Sequence, residues 1–349
     1  MARRDLLSTD CHRPGKYKQS NSMESSGNPD RMLLFVHGRD FKPNAEDFQD
    51  LSISALTTGI ERDCPEMLEQ FNTLDKRLSY YGDLTNEFLI SEGLHYDETL
   101  DIGDRRNALI KFRALDKKKN FSVTRYDRLP GKTAISEFVA DVVAPVLGSL
   151  GLSTILIRKV GVDLGEYWNA KSDFAEKLRE RVRSSICDVL DSGSQILLMT
   201  HGTGCIITYD VLWQLSHDAK YADKYRDKKI DVWLTLGAPL GDSMIRRRLL
   251  GAGKKGAERY PSVVVSWHNI SAEDDFVSHD NTLADDFNNM LKQKQVSFIR
   301  DYRIYNLAIR YGKSNPHSSI GYLAHPRTAQ IISEWLQQDR VSPLPKSIF

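Results

Sequence analysis

Met32–Leu33–Leu34–Phe35–Val36 is an unbroken apolar run that stops at His37–Gly38. Further strands of the buried type read at 195–200 before Gly202, at 231–236 before Gly237, and at 262–270. Short runs that are apolar at consecutive positions, not at alternate ones, read as strands buried on both faces. Helical periodicity fills the intervals. Residues 44–64 begin at Pro43 and Asn44, a proline-and-cap start. Over 173–190, Ala175, Leu178, Val182, Ile186, Val189 and Leu190 share one helical face. Helices are also predicted over 205–215 and 327–336. Leu78–Ser79–Tyr80–Tyr81, ended by Gly82–Asp83, reads as a second strand, and 303–309 as the last. Strands alternating with helices predict an α/β fold, a mainly parallel sheet with helices on both faces.

A chain of 349 residues fits one such domain with insertions, here 31–349. Its formal net charge of +1 supplies no field for nucleic acid or an anionic membrane, so no nucleic-acid partner is expected. Cys11, Cys64, Cys187 and Cys205 form no CxxC pair and fit no zinc module, so neither metal nor cofactor is expected and the default location is cytoplasmic. Residues 1–30 are rich in Ser, Asn, Gly and Pro and lack the apolar core of a secretory signal; they read as a flexible tail. The most apolar segment, 135–157, is free of charge only over 142–157 and holds Pro145, Gly148 and Gly151. That is short of the roughly 20 residues a membrane span needs.

Three features follow one another along the chain. Phe35–Val36–His37–Gly38–Arg39–Asp40 is a strand running into a glycine loop. Thr200–His201–Gly202–Thr203–Gly204 is an elbow, a sharp turn between a strand and a helix. A late acid, in Asp274–Asp275–Phe276–Val277, and a late histidine, in Asn315–Pro316–His317–Ser318, each follow a strand. Nucleophile, acid, histidine is the order of the α/β-hydrolases. Over roughly residues 31–340 the chain resembles that family, in its lipase/esterase-like branch. The histidine–glycine turn, the Gly237–Ala238–Pro239–Leu240 turn and the His317–Ser318 pair carry the resemblance together.

The resemblance implies a nucleophile at 202, where this chain has glycine. It implies Asp275 as the acid and His317 as the base, with an oxyanion held by the N–H of Thr203 and by a donor at Arg39 or a neighbour. Gly204 meets the demand for a small residue two positions on; Thr200 departs from the usual glycine two positions before. Reading Thr203 or Cys205 as the nucleophile gives a worse turn, and the loop lacks both phosphate-binding glycine patterns. His37 and His201 read as packed residues and His325 as a helix-start residue; Asp274, Glu273 and Asp242 compete with Asp275. Arg246–Arg247–Arg248 with Lys254–Lys255 is either a lipid-facing patch or a solvated face. Residues 88–167 are expected as a cap or lid inserted before the elbow strand, with 135–164 either a lid over an acyl cleft or an ordinary buried hairpin. The ligand expected is a small ester-like or lipid-like molecule. The alternative is an inactive scaffold on the same fold that binds a protein partner.

Overall fold

The computed structural model describes residues 31–115, 121–131, 162–278 and 282–338. Six strands form one sheet: β1 Arg31–Val36, β2 Asp75–Ser79, β3 Gln195–His201, β4 Ile230–Leu236, β5 Val264–Ala272 and β6 Phe298–Ile304. Their order is β2-β1-β3-β4-β5-β6, and every neighbouring pair is parallel. The chain leaves β1 toward β2, then returns to add β3 on the other side of β1. In open parallel sheets such a reversal opens a crevice at the carboxyl ends of the strands.

Alternation along β1 explains its unbroken apolar character. Leu34 and Val36 face one layer, with Leu178, Val182 and Ile186 of helix Phe174–Ser192 and Ile206 and Leu212 of helix Gly204–His217. Leu33 and Phe35 face the other, with Phe48 and Leu56 of helix Ala45–Asp63 and Ile332 and Trp335 of helix Pro326–Gln337. Both faces are covered, so the buried positions Met32–Val36 are all apolar. Asn44 caps helix Ala45–Asp63 by accepting from the Asp47 N–H at 3.0 Å.

Two expectations need correction. The second strand is Asp75–Ser79, and Gly82 opens helix Gly82–Ser91 instead of ending a strand. The last strand of the sheet is Phe298–Ile304, not 303–309; Ile309–Arg310 pairs antiparallel with Lys313–Ser314 in a separate hairpin. Within 88–167, helix Glu98–Arg113 places Ala108, Leu109 and Phe112 in the core beside helix Ala45–Asp63. Most of the apolar segment expected as a lid, and the tail 1–30, lie outside the described residues. Among the described residues no helix is long and apolar enough to cross a membrane.

One buried acid ties together the elements packed around helix Gly204–His217. Asp210 accepts from the Tyr167 hydroxyl at 2.7 Å and from the Leu250 N–H at 2.8 Å. Burial pushes its carboxyl up to about 6, against those donors and Arg179. The folded state therefore keeps a proton that the unfolded chain sheds near pH 4, and stability falls as pH rises between these values. At about 1.4 kcal/mol per unit, the loss is on the order of 2–3 kcal/mol. Asp210→Asn should flatten that part of the profile, as measured by urea unfolding between pH 4 and 7; an identical slope in both proteins would refute the assignment.

Candidate functional site

The switch between β1 and β3 brings two backbone turns into contact. Val36 lies beside Thr200 in the register, so His37–Gly38 and His201–Gly202 leave the sheet together. Gly202 adopts the left-handed conformation (φ 55°), which glycine enters at no steric cost. Its N–H donates to the Leu236 carbonyl at 3.0 Å, extending the sheet one residue past β3. Thr203 is already helical (φ −65°), and helix Gly204–His217 starts directly after it. A Cβ on Gly204 would clash with the carbonyl oxygen of His37, and one on Gly38 would lie 2.9 Å from His201 Nδ1. Both positions exclude larger residues because the two turns pack backbone to backbone.

His317 and Asp275 meet at this turn. His317 Nδ1 lies 2.9 Å from Asp275 Oδ2 and 3.1 Å from Oδ1. The carboxylate partner places the proton on Nδ1, which leaves Nε2 as the acceptor. That nitrogen faces Gly202: an ideal Cβ built there lies 3.0 Å from His317 Nε2 and 3.3 Å from Cε1. The Asp275 side chain is fully buried, whereas the imidazole keeps 22% of its surface in solvent. Burial alone would raise the Asp275 carboxyl. The His317 imidazole, hydrogen bonds from His317 and Tyr322, and the Val277 N–H hold it below its ordinary value instead.

The backbone around His317 is held by buried side chains that the sequence did not single out for this role. Asn306 Nδ2 donates to the carbonyls of Pro316 at 2.8 Å and Ser318 at 3.0 Å. The carbonyl between them, that of His317, is 3.0 Å from His201 Nε2. Burial, with His317 nearby, drives His201 well below the ordinary histidine range, so it is neutral and Nε2–H donates. His37 is also neutral through burial. It accepts from the Tyr81 N–H at 3.1 Å, donates from Nδ1 to the Gly38 carbonyl at 2.8 Å and stacks on Tyr81.

The remaining candidates have other partners. Asp274 accepts from Tyr126, Glu273 pairs with Arg303 at 2.9 Å, and Asp242 caps helix Ser243–Arg246. His325 caps helix Pro326–Gln337, accepting from the Arg327 N–H at 3.0 Å. Cys205 is fully buried, accepts from Thr200 Oγ1 at 3.1 Å, and its thiol is pushed up to about 12 by burial. Arg246 pairs with Asp286 and Arg248 lies over Trp168, so these two members of the basic run are engaged locally.

On the other side of the turn, the loop after β1 curls around Lys42. Its ammonium donates to the carbonyls of Arg39, Asp40 and Phe41. The Asp40 N–H donates to Asp163 at 3.3 Å. Among the described residues, the N–H groups of Arg39 and Thr203 meet no acceptor. Arg39, Tyr81, Asp163, Thr203 and Ile206 line a cavity of about 10 Å³, room for one water and not for an acyl chain. Val143, Leu147 and Leu150, expected on the acyl side, lie outside the described residues. No metal-binding group of histidines, cysteines and acids occurs among the described residues.

Comparison with known proteins leaves this geometry to speak for itself: no family model, no curated protein and no solved structure matches the chain.

The backbone contact at the elbow has a direct test. Gly204→Ala must separate the two turns and should cost about 3 kcal/mol or more. Gly103→Ala, at a helical position with open space around it, should instead gain roughly 0.5–1 kcal/mol. Urea denaturation of both variants decides it; a Gly204→Ala protein as stable as its parent would show that the turns do not touch.

Proposed function

We propose that this chain is an α/β-hydrolase-fold protein of the serine esterase or lipase type. Gly202 stands at its nucleophile position, and it acts on or binds an ester-like or lipid-like small molecule. One observation carries the reading: the missing side chain of Gly202, on a left-handed turn, would point at His317 Nε2 while Asp275 holds the opposite nitrogen. A hydroxyl on that carbon would fall within reach of a base of the correct tautomer. The order 202, 275, 317 along the chain and the placement of all three at the carboxyl edge of a parallel sheet support it.

With serine at 202, the hydroxyl would attack an ester carbonyl while His317 Nε2 takes its proton. Asp275 would stabilise the imidazolium, and the free N–H groups of Thr203 and Arg39 would face the oxyanion. His317 would then protonate the leaving alcohol, and water would release the acyl group by the same route. With Gly202 no acyl-enzyme forms, and His317 has only water to activate. A slow hydrolase or a ligand-holding site is the expected behaviour of the chain as it stands.

Gly202→Ser should raise hydrolysis of an activated short acyl ester by at least about 10²-fold, against losses near 10⁶ when a triad serine is removed elsewhere. It should also become labelled by a serine-directed phosphonate. Stability should fall by about 1–3 kcal/mol, because serine enters a left-handed turn and its Cβ sits 3.0 Å from Nε2, so His317 must shift slightly toward its solvent side. A folded serine form that is neither labelled nor faster would sink the esterase reading and leave a binding scaffold.

A further inference from the structure

Tyr322, in the short helix Ser319–Leu323, is fully buried beneath the Asp275–His317 pair. Its hydroxyl accepts from the Ala272 N–H at 2.8 Å, at the end of β5. It donates to Asp275 Oδ2 at 2.6 Å, the same oxygen that lies 2.9 Å from His317 Nδ1. A phenol carries one proton. Since the main-chain N–H already points at its oxygen, that proton is directed at the carboxylate. The Val277 N–H, at 3.0 Å, occupies the other oxygen. Gly237 makes room for this arrangement: a Cβ there would lie 2.9 Å from Asp275 Oδ2 and 3.1 Å from the Tyr322 hydroxyl oxygen.

We propose that Tyr322 is a positioning residue that acts through Asp275. Its hydroxyl anchors the carboxylate to the end of β5, and so fixes the plane in which His317 presents Nε2 to position 202. It also takes a share of the negative charge that bears on the imidazole. The proposal rests on the reading of His317 as the base, but it has a consequence that needs no turnover. A carboxylate relieved of one donor attracts the imidazolium more strongly, so loss of the hydroxyl raises the basicity of His317. The other titratable groups around the pair are unchanged by that loss. They are His201, with its ring 4.6 Å from that of His317, and Asp274, Glu273 and Tyr126 at the acid turn.

The test is an NMR titration of the His317 ring in the full chain and in Tyr322→Phe, each also carried in an Asp275→Asn background. In the Asp275 background the His317 midpoint should rise by about 0.5 unit or more in Tyr322→Phe. In the Asp275→Asn background the same substitution should move it by less than about 0.2 unit, since the effect travels through the carboxylate. An unmoved midpoint in a folded Tyr322→Phe protein overturns the proposal. So does an equal shift in both backgrounds, which would mark a packing effect through the Ala272 N–H. If Tyr322→Phe does not fold, difluorotyrosine placed at 322 reverses the sign: a more acidic phenol should lower the midpoint, and no change overturns the proposal. A shifted midpoint beside an inactive Gly202→Ser protein would keep this role for Tyr322 while removing the esterase reading.

Discussion

Everything at the carboxyl edge of this sheet depends on a contact made without side chains. The turn after β1 and the turn after β3 meet through Gly38, Gly202 and Gly204, with the His37 carbonyl set against Gly204. Backbone can approach backbone this closely only where Cβ atoms are missing. The contact fixes how far helix Gly204–His217 rises above the edge and where its first free N–H groups lie. It also fixes the loop of Arg39, which Lys42 then curls by gathering three consecutive carbonyls. Glycine at 202 thus does two things that a serine could not do equally well. It takes the left-handed turn without strain, and it leaves His317 Nε2 unobstructed.

The second constraint is the burial of the Asp275 charge. A carboxylate with no solvent contact is costly unless donors surround it, and here three donor groups do so: His317, Tyr322 and the Val277 N–H. They come from the turn after β5 and from a segment some forty residues later, so the charge binds two distant pieces of chain. The histidine is gripped again from behind, because Asn306 and His201 hold the three successive carbonyls of residues 316–318. Both ends of the imidazole's support are therefore buried and satisfied, while its free nitrogen is left at the surface of the turn. Side chains so fixed lose little freedom when they act, which is the condition for a preorganised site.

Much of this was legible in the sequence, for a physical reason. Central strands of a parallel sheet are covered on both faces, so β1 and β3 appear as nearly continuous apolar runs and β4 as a mostly apolar one, while β5 mixes apolar residues with the buried polar residues Ser266, His268, Asn269 and Ser271. The edge strands carry no such mark. β2 is Asp-Lys-Arg-Leu-Ser, and β6 is Phe-Ile-Arg-Asp-Tyr-Arg-Ile, with charges where a neighbouring strand would otherwise add on. Reading β6 a few residues late and placing β2 at Leu78–Tyr81 both follow from seeking apolar continuity where exposure had removed it. Helix Glu98–Arg113 hid for a related reason: its buried side includes Asp101 and Arg105, which bond to each other, and Asp101 also accepts from Arg310 and Tyr311, so its inner face does not look apolar.

The site divides in the same way. Gly202, Asp275 and His317 could be picked out because each follows a strand end, and chain order along a parallel sheet maps onto position along its edge. Tyr322, Asn306 and His201 in its supporting role could not. Their importance lies in which buried polar atom each one satisfies, and a hydrogen-bond partner 10 to 116 residues away leaves no local pattern. Even so, the need for such residues is implied once a buried acid is posited: an Asp275 that is ionised and dry must have donors, and the imidazole it orients must have a fixed backbone. The sequence of a turn cluster of this kind therefore declares the residues that follow strand ends by spacing, and it leaves the groups that hold them to be found by asking which buried charge and which buried carbonyl still lack a partner.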